Sequence, residues 1–142
     1  MRALGIDLGD KRVGLALSDE DGSFASPLSV LQRTGDRALL ADLVKIVRAH
    51  EVGTIVIGLP LHMDGREGPE AEHARTFAAR LAEKTGRPVE LWDERWSTIA
   101  AERAMREGRG RRRGPVDHVA AALLLQAFLD AKAARWGTEP DD

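Results

Sequence analysis

The run Thr54 to Leu59, TIVIGL, is apolar on both faces of a strand and stops at Pro60. A strand without a polar face has to be covered on each side, so the chain is expected to form a layered fold with helices packed on both faces of a sheet. The run belongs at the centre of that sheet. Its neighbours read as covering helices. In Asp36 to His50, Leu39, Leu43, Ile46 and Val47 fall on one helical face and Arg37, Asp42, Lys45 and Arg48 mostly outside it. Pro69 can open a second helix and Gly86 close it, with Ala74, Phe77, Ala78 and Leu81 forming the stripe between them.

The first thirty residues have a different period. From Ala3 to Leu8, Leu4, Ile6 and Leu8 alternate with Ala3, Gly5 and Asp7, as a strand requires. After the turn Gly9 to Arg12, Val13 to Ser18 alternates again, which predicts a hairpin. A third strand spans Phe24 to Gln32, where Pro27 demands an edge position or a start near Leu28. Beyond the second helix, Val89 to Asp93 is a short strand, Ser97 or Thr98 caps a helix to about Glu107, and a last helix runs from about Val116 to Ala134. The expected fold is α/β: a five-stranded mixed sheet, three antiparallel strands then two parallel, with helices on both faces. Residues 1–136 form one domain and 137–142 a short tail.

Composition narrows the function. Cysteine is absent, and the four histidines lack the paired spacing of zinc sites, which excludes disulfides and thiolate metal centres and fits a reducing cytoplasm. An acid at position 7 interrupts any secretory apolar core, and no apolar run is long enough to span a membrane. The formal charge of −2 gives no general attraction for polyanions. Nucleic-acid binding therefore has to be local, and one segment suits it. Arg103, Arg106, Arg109, Arg111, Arg112 and Arg113 are opposed only by Glu102 and Glu107, and the guanidinium fork binds phosphate oxygens in pairs. Lys11 and Arg12, after the first strand, extend the track, and Arg95 joins it.

Asp7 is the chemically distinctive residue. An ionised carboxylate in mid-strand is costly to bury without a partner, and a cation is the natural one; the bland reading is an edge-facing Asp paired with Lys11 or Arg12. The small residues on its face, Ala3, Gly5, Gly14 and Ala16, suit close approach of a phosphate backbone or of a helix. Where the fifth strand ends, Asp93 and Glu94 stand at the position where α/β sheets place ligand sites, and periodicity does not separate them. Asp117 borders the buried stripe of the last helix or caps it. Three such acids would hold magnesium or manganese through oxygen. Two ions about 3.5–4 Å apart activate water and stabilise the departing oxygen in phosphodiester hydrolysis. No rival nucleophile, Walker motif or dinucleotide-binding glycine pattern is present.

GIDLGDKRVGLALSD, VIGLPLHMDGREGPEA, LWDERWST and DHVAAALLLQAFLD, in order and across nearly the whole chain, resemble the YqgF nuclease family, also called RuvX or Holliday-junction-resolvase-like. The resemblance implies a ribonuclease H-like fold and two-metal nuclease chemistry. It also implies a role in maturing the 5′ end of pre-16S rRNA, with branched-DNA cleavage as the competing assignment. Its metal-binding acids carry over to Asp7, Glu94 and Asp117. The chain departs from the family pattern at His62, where Asn is common, at Trp96, where Leu is common, and at His118, where Lys often follows the final Asp; its basic loop is slightly shorter. His62 and His118 could help to place water or the leaving oxygen and Trp96 could stack on a base, with Thr98 as a further auxiliary candidate, though surface or core duties are the plainer alternatives. The expected partners are structured RNA such as pre-rRNA or branched DNA, not a membrane, with the chain a monomer or homodimer. Two other classes compete. GIDLG followed by a basic turn also resembles the first phosphate loop of actin-like and sugar-kinase-like ATPases, but those close two domains around a nucleotide and this chain holds one. A non-catalytic nucleic-acid-binding module would keep the fold without needing all three acids.

Overall fold

A computed structural model describes residues 1–62, 64–94 and the helix from 116 to 138, whose side chains are described from 119 to 134. Five strands form one sheet: β1 (Arg2–Leu8), β2 (Arg12–Ser18), β3 (Ala25–Gln32), β4 (Val52–Leu59) and β5 (Val89–Asp93). Their order across the sheet is β3-β2-β1-β4-β5. β1–β2 and β2–β3 are antiparallel, and β1–β4 and β4–β5 are parallel, as the alternation at the start and the crossovers later in the chain require. One expectation is corrected. The central strand is β1, not the apolar run; β4 lies one place away, flanked by β1 and β5. An interior strand needs cover on both faces wherever it sits, so an apolar pattern marks interior position and does not identify the middle.

Three helices are described: α1 (Asp36–Ala49), α2 (Pro69–Thr85) and α3 (Val116–Thr138). α2 has Pro69 in its first turn and ends on Gly86, whose φ of 72° is left-handed and whose N–H donates to the Ala82 carbonyl at 2.8 Å. Gly there avoids the Cβ penalty of that conformation. α3 runs past the expected Ala134 to Thr138. The expected helix from Ser97 or Thr98 to Glu107, and the arginine segment after it, lie outside the described residues. Among the described residues no helix is long and apolar enough to cross a membrane.

The two faces of the sheet carry different packing. Leu4, Ile6, Val13, Leu15, Ile55 and Ile57 are buried against Leu39, Leu40, Leu43 and Val47 of α1 and Phe77 and Leu81 of α2. Each such side chain contributes about 1.5–3 kcal/mol by leaving water, so this face is the main source of stability. The other face packs Ala3, Ala16 and Val56 against Ala121, Leu125, Phe128 and Leu129 of α3. β3 is the edge strand that Pro27 demanded. Its ladder with β2 passes from Leu15–Ser29 to Ala16–Pro27, a bulge that leaves Leu28 as the extra residue. The Gln126 side chain on α3 closes the start of that edge, accepting from the Ala25 N–H at 2.8 Å and donating to the Ser23 carbonyl at 2.9 Å.

Candidate active site

Asp7 lies near the carboxyl end of the central strand and is buried, with 2% of its surface exposed. Asp7 therefore does not face a sheet edge. In register, Gly5 pairs with Val56 and Ile6 with Ile57, so Asp7 and Gly58 fall on the next rung and share a face. On the far side of β4, Gly58 pairs with Trp92 and Leu59 with Asp93. Side chains alternate along a strand, so Asp93 takes the face of Leu59 and Leu91, and Glu94, directly after β5, returns to the face of Trp92, Gly58 and Asp7. Of the two acids left open in the sequence, Asp93 thus falls on the face away from Asp7.

Contact geometry agrees. A Cβ placed on Gly58 would lie 2.7 Å from Glu94 Oε2, 3.1 Å from its Cγ and 3.3 Å from its Cδ. The Glu94 side chain therefore lies back across β4 through the space that a side chain at position 58 would fill, with its carboxylate on the Asp7 side of the sheet. Gly58 was not among the residues singled out from sequence. Its signal was a glycine inside an otherwise bulky buried strand, which marks a place where another group approaches closely.

The small residues on this face also find their explanation. A Cβ at Gly5 would come within 2.8 Å of Leu125 Cβ and 3.2 Å of the Ala121 carbonyl oxygen, so this glycine serves close helix packing. It also sets the direction of α3. Ala3 packs in the cluster of Phe128 and Leu129 and Gly5 under Ala121 and Leu125; moving up β1 therefore means moving back along α3. From Gly5 to Asp7 the strand advances ~6.6 Å, and from Ala121 one turn back to Asp117 the helix retreats ~6 Å. Asp117 is the second residue of α3, and its backbone position lies at the level of Asp7; its side chain and that of His118 lie outside the described ones.

The remaining candidates divide by location. Lys11, in the turn between β1 and β2, and Arg12, at the start of β2, are exposed at the same sheet end as Asp7. That turn is braced from β3: the Arg33 N–H donates to the Lys11 carbonyl at 2.8 Å and its guanidinium to the Gly9 carbonyl at 2.7 Å. His62 is exposed on the loop after β4, where Leu61 bridges to Glu67. Its Nε2 would lie 2.7 Å from a Cβ on Gly68, so the ring covers the start of α2. This loop is tied down by ion pairs. Arg75 Nε donates to both Glu67 oxygens at 3.0 and 2.9 Å, and Arg66 Nε to Asp64 at 2.7 Å. The Arg75 guanidinium holds the Glu67 carboxyl below its ordinary pKa, and the Arg66 backbone N–H, with its side chain, does the same for Asp64. Arg95, Trp96, Thr98, Arg109, Arg111, Arg112 and Arg113 lie outside the described residues. Among the described residues no three acids or histidines form a metal-holding group; the pair present is Asp7 and Glu94.

Comparison with known proteins extends this picture. A protein of Myxococcus xanthus is 50% identical over 134 residues, covering 92% of this chain and 89% of the relative. One of Anaeromyxobacter sp. strain Fw109-5 is 53% identical over 137 residues, covering 94% and 100%. Both carry the provisional name pre-16S rRNA nuclease. Among solved structures, T. thermophilus RuvC in complex with a Holliday junction substrate matches with a TM-score of 0.64 at 19% identity, over 97% of each chain. The fowlpox virus Holliday junction resolvase matches with a TM-score of 0.57 at 12% identity, over 92% of this chain and 99% of that one. These likenesses show the fold, which is ribonuclease H-like. The profile of a family described as "RuvX: Holliday junction resolvase" matches residues 1–131, and with half of all positions shared with full-length relatives, the chain belongs to the RuvX family.

Proposed function

We propose that the protein is a metal-dependent nuclease that hydrolyses a phosphodiester bond in nucleic acid, and that Asp7, Glu94 and Asp117 are its metal-binding acids. The observation that carries the reading is the pair of carboxylates on one face at the carboxyl end of the sheet, Asp7 buried at the centre and Glu94 folded across Gly58 beside it. Asp7 is buried and Glu94 half-buried; carboxylates on one face repel each other unless positive charge lies nearby, and their hard oxygen atoms suit magnesium or manganese. The cradle fits that purpose, because Gly58 provides the room that a carboxylate needs to turn inward. When bound, a pair of such ions supplies an activated water and stabilises the departing oxygen.

The chain's own residues do the rest. The burial of Asp7 excludes competing water from one side of the site and holds its carboxylate in a fixed direction on the most constrained strand. Gly58 fixes where Glu94 can lie. Lys11 and Arg12, on a turn pinned by Arg33, lie at the sheet end where backbone phosphates beside the cut would run, and Arg95, Arg109, Arg111, Arg112 and Arg113 supply further phosphate contacts without sequence readout.

The relatives' provisional name favours the 5′ end of pre-16S rRNA as the substrate, acted on in the compartment where ribosomes are assembled. A second reading, cleavage of branched DNA, is favoured by the description of the family itself. Both are tested together by offering structured pre-rRNA 5′ leaders and four-way DNA junctions with magnesium or manganese to the wild type and to Asp7→Asn. Losing one metal-ligating acid removes several kcal/mol of charge stabilisation, so cleavage should fall by roughly 10²–10³-fold or more, while retained binding separates a catalyst from a binding module. Equal weak activity in the two proteins sinks the nuclease reading.

A further inference from the structure

Asp7 and Leu8 are chain neighbours that point to opposite faces of β1, and on the Leu8 side the same sheet end opens into a cavity of about 370 Å³. Its floor is apolar, from Leu8, Pro60 and Pro69, and its wall is polar, from Asp10, Glu70, Arg33 and His73. That volume lies within the range of small-ligand sites, about 300–1,000 Å³. The nitrogen groups of the wall are already engaged. Arg33 donates to the Gly9 carbonyl and lies 3.5 Å from Asp36 Oδ1, and His73 Nε2 is 2.8 Å from Asp36 Oδ2. The acids are not: among the described residues neither Asp10 nor Glu70 has a hydrogen bond or ion pair. The ligand that fits has a flat apolar body for the proline-lined floor and hydrogen-bond donors, not negative charge, for the carboxylates.

We propose that this cavity receives the unpaired base of a nucleotide adjoining the scissile phosphate, and that it selects a base whose edge is rich in donors, guanine above all. The proposal rests on the nuclease reading only for the position of the base along the strand. Enzymes that take a base out of its stack read it by hydrogen bonds to its Watson–Crick edge and by packing on its faces, and unpaired bases are where RNA sequence is read. Guanine presents two adjacent donors, N1–H and the 2-amino group, matched to the two oxygens of one carboxylate. Cytosine and adenine present a single amino group. Uracil flanks its one N–H with carbonyl oxygens that the carboxylates repel.

The test is nuclear magnetic resonance on isotope-labelled Asp7→Asn protein titrated with guanosine 5′-monophosphate and with uridine 5′-monophosphate, repeated with Asp10→Ala and Glu70→Ala added. Both acids are exposed, and the spectrum itself reports whether each variant is folded; either single variant serves if the double does not fold. The guanine nucleotide should shift the amides of Leu8, Asp10 and Ala74 at a concentration at least about tenfold below that needed with the uracil nucleotide, as one good base-edge contact provides. The added substitutions should abolish the difference. Equal affinity for both nucleotides, shifts that map elsewhere, or selectivity that survives loss of both acids overturns the proposal. Cleavage by the wild type is scored separately: guanine selectivity without cleavage of any nucleic acid removes the nuclease reading and leaves the base site, whereas cleavage without selectivity removes only the base site.

Discussion

Gly58→Ala is the sharpest probe of the site, because one methyl group is placed against one catalytic candidate. The new Cβ would stand 2.7 Å from Glu94 Oε2 and 3.1 Å from its Cγ. Both distances are shorter than ordinary contact, and the carboxylate would have to recede by ~0.7 Å to restore it. Metal–ligand distances tolerate only about ±0.2 Å, and a misplacement of about 1 Å in a reacting assembly costs on the order of 10²-fold in rate. A reduction of roughly 10–100-fold in single-turnover cleavage follows, with a higher magnesium requirement, because the proposed ligand Glu94 is displaced. Stability should change little. Alanine relieves the glycine's strand penalty of roughly 0.5–1 kcal/mol, and Glu94 sits after the last residue of β5, where it can turn outward. The assay is cleavage at saturating protein across a magnesium titration, with a urea melt alongside. Wild-type cleavage with wild-type metal dependence would refute the placement of Glu94 over Gly58 as the working geometry, whereas an unfolded variant would show that the glycine serves packing and not the site.

Two further outcomes follow from the same coordinates. Gly5→Ala should behave differently from Gly58→Ala, because its Cβ meets Leu125 Cβ and the Ala121 backbone instead of a mobile carboxylate end; a loss of about 1–3 kcal/mol from overpacking is expected in urea unfolding, and an unchanged midpoint would show that α3 yields without cost. The 61–67 loop should open in acid before the core does. Glu67 has a lower pKa folded than unfolded because Arg75 pairs with it, so its contribution is present above the ordinary carboxylate range and is lost as the pH falls through the lowered value; protection of the His62 and Arg66 amides, taken relative to their intrinsic exchange rates, should fall over that window and should already be lower at neutral pH in Glu67→Gln, and protection that does not change with pH would contradict the role of the ion pair.

Most of the fold was legible because two periods alternate along the chain in an order that permits few topologies. Leu4, Ile6 and Leu8 against Ala3, Gly5 and Asp7 gave β1 its two faces, and Pro69 and Gly86 bracketed α2 by backbone chemistry alone. What periodicity could not supply was lateral position. TIVIGL looks the same whether a strand is central or one place away, and DE at the end of β5 looks the same whichever acid faces the site. The strand order resolves the first ambiguity, and the β4–β5 register, with the Glu94 side chain over Gly58, gives the face of each acid. The bracing of the β1–β2 turn by Arg33 and the Gln126 link to β3 join residues far apart in sequence, and no local pattern announces them.

The sheet divides its labour between faces, and this explains why the acids can sit where they do. On the α1 and α2 side, large aliphatic side chains and Phe77 fill the core, and that side carries most of the burial. The α3 side has Ala3, Gly5, Ala16 and Gly58 where bulk would be expected. Small residues let α3 approach until its backbone touches β1, and an antiparallel course then brings the start of α3, with Asp117, down to the end of β1, with Asp7. Where the helix contact stops, the lack of side-chain bulk continues for one more rung, and there it admits the Glu94 carboxylate instead of a helix. The small residues of this face thus set the helix height at one end and the room for the Glu94 carboxylate at the other. Substitutions toward larger residues on this face should therefore grade from loss of stability at Gly5 to loss of chemistry at Gly58, a gradient that the two alanine variants measure directly.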